Sequence, residues 1–530
     1  MFTWKLFPFA VAIIFVAPII IVFSSLFGSY SDTWNHLIEF VLVDYISTSI
    51  FLVIGVSLGV LIIGVLTAYL VTNYNFFGKI FFEWALILPL AIPPYILAYT
   101  FTGLFDANGD ANVFVRFLFN LENSFVLFPS VRNITGAIIV FSFTLYPYVY
   151  LVTRSAFLNQ SNSIKESGRL LGLGQLGIFS KISLPLARPA FIAGLMLVIM
   201  ETLSDFGAVD HFAVQTFTTG IFRTWYGLYD LNTAMQLSSL LLMIIFLFYL
   251  LERFSREGVK YTNDNSTFKT SKEIKLKGVK AGLAFFFCLT PIFIGFILPI
   301  IELIIWALDA RVTLFNEKFI MSSFNTISLG ILTGVLCALL AFIINFSIRY
   351  TKNNFLGKLS SFLSIGYAVP GLILAVGITR FFVYADQNLF SNLDFVITGS
   401  LLGLVLAYII KSYALANSSI ESGYERISNS IDNSARLLGS KGSVLLGKIH
   451  FPLMKTSLIT AILLVTSEVV KELPATLILR PFNFDTLAVV TYTYAAEERM
   501  YQAAMPSLAI VLIGIIPLIF LSKMIRSSRL

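Results

Sequence analysis

The sequence predicts an all-α polytopic membrane protein of about twelve transmembrane helices, built as two parallel six-helix repeats. Three observations carry this expectation. Of 530 residues, 57% are hydrophobic and 12% charged, whereas a soluble chain carries about 25% charged residues. Apolar stretches close to the roughly 20 residues needed to cross the hydrocarbon layer recur along the whole chain. The stretch ESGRLLGLGQLGIFSKISLP at 166–185 returns as NSARLLGSKGSVLLGKIHFP at 433–452.

The spans expected in the first half are 8–28, 47–72, 83–104, 135–157, 188–205 and 235–252. Those of the second are 281–307, 325–348, 360–384, 397–415, 453–472 and 504–522. The opening MFTWKLFPFAVAIIFVAPIIIVF has one lysine and a long apolar run, and no convincing small-residue cleavage site follows, so it reads as a retained first helix. Pro93-Pro94 and Pro370-Gly371 interrupt the third helix of each half. They read as helix boundaries or tight packing, or as hinges. Cys288 and Cys337 both fall inside apolar spans, which offers neither a disulfide framework nor a cysteine metal site.

The repeat extends beyond the quoted loop. Pro18-Ile19-Ile20 recurs as Pro299-Ile300-Ile301, Phe77-Gly78-Lys79 aligns with Leu356-Gly357-Lys358, and Pro93 with Leu97-Ala98 returns as Pro370 with Leu374-Ala375. An even number of helices per half gives both copies the same orientation, related by an axis along the membrane normal. The expected division is 1–252 for the first repeat, 253–280 for a polar cytoplasmic linker rich in Lys, Ser and Thr, and 281–530 for the second repeat.

Orientation follows from Lys and Arg. Lys165, Arg169, Lys181 and Arg188 lie in or beside the first copy of the repeated loop; Arg426, Arg436, Lys441, Lys448 and Lys455 lie in or beside the second, and Lys523, Arg526 and Arg529 are in the tail. These belong in the cytoplasm. Asp32, Glu39 and Asp44 after the first helix and Asp386 and Asp394 after the ninth agree, and both termini come out cytoplasmic. The net charge of +7 is spread over loops at alternate helix ends, not gathered in a stripe, so membrane orientation explains it and nucleic acid is not expected.

The start of the repeated loop suits a short helix at the membrane surface, with Leu170, Leu171 and the neighbouring charges on separate faces. Gly172 and Gly174 allow a turn or a close approach, and Pro185 fixes the start of the next membrane helix. Any cytoplasmic loop needs basic residues and breakers, but duplication at fixed spacing weakens that plainer reading.

This loop resembles that of the permease subunits of binding-protein-dependent ABC importers, patterned as Glu-Ala-Ala, three residues, Gly, nine residues, Ile, any residue, Leu-Pro. Glu166-Ser167-Gly168, Gly172, Ile182, Leu184 and Pro185 fit that spacing. Asn433-Ser434-Ala435, Gly439, Ile449, Phe451 and Pro452 occupy the second copy, where the leading glutamate is lost and Asp432 stands one residue early. The stretches at 201–226 and 471–512 look like the fused, two-half permeases of ferric iron importers. The resemblance implies a type I ABC importer permease fold in a bacterial inner membrane, with each loop a coupling helix seated on one of two ATPase subunits. It implies further that ATP and Mg are bound by those partners and not by this chain. A substrate-binding protein outside the membrane delivers the cargo, with ferric iron expected. The competing expectations are a permease of the same build for thiamine, sulfate or a polyamine, and an ATP-independent carrier or channel.

No ATP-hydrolysing or other catalytic motif is found. Gly172-Leu-Gly174-Gln-Leu-Gly177 spells GxGxxG without a preceding strand, and Gly442 to Lys448 nearly spells a phosphate loop but has Ile449 where a magnesium-binding hydroxyl belongs. His36, His211 and His450 are scattered.

Glu201 and Asp205 stand four apart on one helical face, and Glu468 and Glu472 are their repeat counterparts; Asp210 follows in the first half only. Two readings stand. These acids line a wet cation pathway, since oxygen ligands suit hard cations and intramembrane acids facing lipid are costly. Alternatively they sit at the outer interface, with Glu468 paired to Lys471 on its own helix. A transport path needs weak binding, so no permanent metal site is expected.

Overall fold

The computed structural model describes residues 2–122, 124–257, 274–309, 316–389, 391 and 396–527. Of the linker expected at 253–280, residues 258–273 lie outside the described residues.

Among the described residues, nine continuous helices are long and apolar enough to cross a membrane, and three bent pairs bring the spans to twelve. The first half contributes Trp4–Phe27, Leu42–Asn73, the bent pair Lys79–Ala91 with Pro94–Phe119, Ile134–Leu158, Gln175–Ser204 and Leu231–Leu251. The second contributes Val279–Ala307, Glu317–Thr351, the bent pair Asn354–Ala368 with Gly371–Asn388, Leu401–Glu425, the bent pair Ser443–Leu453 with Lys455–Lys471, and Met500–Pro517. Every expected span is met, and the order is six plus six.

The third and ninth spans turn by 88° and 108°. Pro93 and Pro370 have ψ of 145° and 138°, extended values that end the preceding helical path. Proline tolerates this φ and its missing N–H falls where a new helix would leave it unpaired anyway. The prolines are therefore helix boundaries. The fifth and eleventh spans begin earlier than expected, in the repeated loop itself, through π-helical turns at Phe179–Ser183 and Leu446–His450 just before Pro185 and Pro452. The eleventh then bends by 76° at Met454, whereas the fifth runs on.

Helices approach closely where side chains vanish. A Cβ on Gly59 would sit 2.1 Å from Ser142 Oγ, and one on Gly64 2.9 Å from Val149 Cβ, so the second span lies directly on the fourth. Gly330 and Gly334 do the same for the eighth span against Thr466 and Ile462 of the eleventh.

The first span of each half packs on the other half. Trp4 meets Phe346 edge-on at 5.0 Å, Phe15 meets Tyr413 at 5.6 Å, and Gly377 backs onto the Pro18 carbonyl. Reciprocally, the Trp306 ring of the seventh span rests on Gly103, and Gly295 lies against the Phe143 carbonyl. Packing thus crosses the boundaries expected at 252 and 281, which fall within the helices Leu231–Glu257 and Val279–Ile292. A two-residue parallel pairing of Tyr74–Asn75 with Ile274–Lys275 adds a further tie.

Between the fifth and sixth spans of each half lie two short helices that the sequence reading did not assign: Gly207–His211 and Phe217–Tyr226, then Pro474–Leu479 and Leu487–Ala496. They join the fifth span to the sixth in each half and are largely buried.

Candidate functional site: two surface knobs and an acidic cavity

The repeated loops form matching helices, Asn162–Leu170 and Asn429–Leu437. In each, residues three apart face the bundle, Lys165 with Gly168 and Asp432 with Ala435. Gly168 packs tightly: a Cβ there would lie 2.5 Å from the Cδ1 end of Ile182. Each helix ends alike. Gly172 and Gly439 have φ of +83° and +85°. Their N–H groups bond the Arg169 and Arg436 carbonyls, and the N–H groups of Leu173 and Ser440 reach back to the Gly168 and Ala435 carbonyls. This is the reversed turn in which glycine closes a helix. Just before it the leucines are bare, Leu170 and Leu171 at 89% and 84% exposed and Leu437 and Leu438 at 89% and 87%.

The knobs are anchored differently. Lys165 Nζ donates to Asn73 Oδ1 at 2.7 Å, at the end of the second span. Asp432 Oδ2 accepts from Arg349 Nε at 2.7 Å, at the end of the eighth, and His450 Nε2 lies 3.1 Å from its other oxygen. Arg349 also donates to the carbonyls of Tyr424, Ile427 and Ser428.

Deeper in the bundle, a cavity of about 100 Å³ is lined by Glu201, Asp205, Glu468 and Glu472 together with Lys411, Lys471, Tyr95, Tyr148, Thr144, Pro93 and Pro94. Glu201 Oε1 accepts from Tyr367 Oη at 2.7 Å. Asp205 Oδ1 accepts from the N–H groups of Ala208 and Val209 at 2.9 and 3.3 Å, capping the short helix that follows. Its counterpart Glu472 accepts from Ala475 N–H at 3.3 Å and, through its other oxygen, from Lys411 Nζ at 2.5 Å. Glu468 Oε2 lies 3.3 Å from Lys471 Nζ on the same helix. The two halves thus repeat the same capping carboxylate across the cavity.

The model of the family described as binding-protein-dependent transport system inner membrane component matches residues 60–256. The chain is 27% identical to the Fe(3+)-transport system permease protein FbpB 2 of Haemophilus influenzae over 91% of its own length and 90% of the relative's. Residues 60–256 belong to this permease family, and the likeness to a ferric permease runs over 91% of the chain. The ferric transport system permease protein FbpB of Actinobacillus pleuropneumoniae is 23% identical over 92% of this chain and 72% of its own. The sulfate transport system permease protein CysT of Salmonella typhimurium matches at 28% identity over only 28% of this chain and 50% of its own.

In this permease, four of the five acids expected along the pathway meet in one cavity. Asp210 does not line it; its Oδ2 accepts from Tyr492 Oη at 2.8 Å. The pairing of Glu468 with Lys471 is present, and yet both line the cavity, so the two readings of that acid are not exclusive. In the first loop Glu166 and Ser167 are exposed. In the second, Asn433 and Ser434 are exposed and Asp432 is turned inward, so it is no displaced substitute for Glu166. Gly174 has φ of −71° and open space around it; nothing there demands glycine. Leu184 and Pro185, like Phe451 and Pro452, open the helix that follows each knob, and Ile182 and Ile449 sit half-buried beneath it.

Lys411 was missed. It lies inside the apolar stretch 397–415, and an ionisable residue there is itself a signal. Tyr367 gave no comparable signal, because its bond to Glu201 joins residues 166 positions apart.

Proposed function

We propose that this permease carries ferric iron through the membrane by alternating access, driven by two ATPase subunits that bind ATP and Mg and grip the two knobs. A binding protein outside the membrane delivers the cargo. The chain sits in a bacterial inner membrane with both termini cytoplasmic; Trp4 lies beside Gly442 of the second repeated loop, on the same face as the knobs.

The convergence of four carboxylates in one cavity carries the substrate reading. With only Lys411 and Lys471 beside them, the acids outnumber the amines, which favours a hard cation over sulfate or molybdate. At about 100 Å³ the cavity is well below the roughly 300–1,000 Å³ of organic-ligand pockets, which disfavours thiamine. The relatives that match along most of the chain are named for ferric transport, and the sulfate relative matches a short part. The bare leucine pairs just before the turn glycines support docking of a partner at each knob.

Reconstitution in liposomes with ATPase and binding subunits tests this. ATP-dependent uptake of ferric iron, with no uptake of sulfate, molybdate or thiamine, is expected, and the double variant Glu201→Gln with Glu468→Gln should transport iron more slowly. Uptake without ATP, or full activity in the double variant, would overturn the respective part.

A further inference from the structure

Lys411 lies near the middle of the tenth span, Leu401–Glu425. A lysine at the centre of a bilayer costs about 2.5–3.5 kcal/mol to insert, so it is kept there by a partner or a task. Its partner is Glu472, at 2.5 Å. The symmetry of the fold shows how particular this pair is. The fourth span, Ile134–Leu158, and the tenth have the same length, and the residue matching Lys411 is Thr144, which also lines the cavity and bonds back to the Val140 and Phe141 carbonyls of its own helix. The acid matching Glu472 is Asp205, satisfied by backbone N–H groups. The acids come in matched pairs, but one half alone sends an ammonium from another helix among them.

Further observations bear on the same space. Tyr95 lines the cavity at 3% exposure, and its hydroxyl has no hydrogen-bond partner among the described residues. No three His, Cys, Asp or Glu side chains among the described residues come close enough to hold a metal ion, so the acids do not form a cage in this conformation.

We propose that Lys411 is a tethered counter-cation. It occupies Glu472 while the cavity is empty of cargo, yields that carboxylate to an entering trivalent cation, and returns as the ion leaves. The acids thereby attract the cargo without retaining it, as a transport path requires. This rests on the cation reading of the cavity given above.

The test uses the purified complex of permease and ATPase subunits, with citrate-buffered Ga³⁺ as a redox-inert trivalent probe in equilibrium dialysis, and iron uptake in liposomes. Lys411→Met and Lys411→Thr, the latter copying Thr144, should retain about tenfold more Ga³⁺ or better, because a unit charge a few Å from the ion is gone, and should transport iron more slowly. Lys411→Arg keeps the charge and should behave like the unmodified complex. Retention by Lys411→Met or Lys411→Thr no higher than that of the unmodified complex would overturn the proposal. So would failure of both to assemble when Lys411→Met with Glu472→Gln assembles, since that marks a purely structural pair. If Glu201→Gln with Glu468→Gln transports at full rate, the acidic pathway itself falls. If that variant is slow and Lys411→Met retains no extra Ga³⁺, only the tether falls.

Discussion

At Gly172 and Gly439 the requirement for glycine is conformational, not steric. Nothing lies within 4 Å of a Cβ at either position, yet both hold φ above +80°. An L-residue in that region costs roughly 1–2 kcal/mol. Gly172→Val and Gly439→Val should therefore loosen the end of each knob without touching the core. The expected result in liposomes is continued ATP hydrolysis with less iron moved per ATP; an unchanged ratio in both variants would argue against the knobs as transmission elements. The carboxylates follow another logic. Asp205 and Glu472 are each fixed by the first N–H groups of the short helix they precede, which aims them at the cavity before any cargo arrives.

Each knob is a short helix whose inward face meets one long span, and the polar contacts differ in kind. Lys165 is pushed down to about 8 by burial and, secondarily, by Arg169. A lysine whose folded value lies below its unfolded value of about 10.4 loses its proton first in the folded state. The unfolded chain then binds more protons between those values, so this residue's contribution to stability rises with pH across that window. The difference in melting temperature between the unmodified permease and Lys165→Met should shift in favour of the unmodified protein from pH 7.5 to 9.5; a constant difference would show that Lys165 does not titrate there. The second knob carries Asp432 against Arg349, a charge pair in place of the lysine–amide contact, so the two knobs need not respond alike to pH.

For the whole molecule, the exchange of first spans makes each half depend on the other. Trp4 and Phe15 bury themselves on the second half, and Trp306 on the first. Cutting the chain at a protease site inserted within 258–273 should leave the halves associated through detergent purification, because helices of each half pack directly on the other. Separation of the halves on size exclusion would show that the exchange contributes little. The same arrangement places the cavity between the fifth and eleventh spans, so that its acids come from both halves.

Much of this was determined by the sequence alone. Apolar length gave the twelve spans, because crossing a bilayer demands a minimum run of apolar residues whatever surrounds it. The duplicated loop gave both knobs and their glycines, because local backbone geometry at a helix end is written in a few adjacent residues. Four pathway acids were legible from helical spacing and the repeat offset. Tertiary structure decided the rest: that Asp210 stands aside, that Asp432 turns inward, that Lys411 reaches the cavity and Tyr367 binds one of its acids, and that the first spans trade places. Each of these is a contact between residues far apart in the chain, and such contacts depend on how helices pack against one another, which the periodicity of a single helix does not encode.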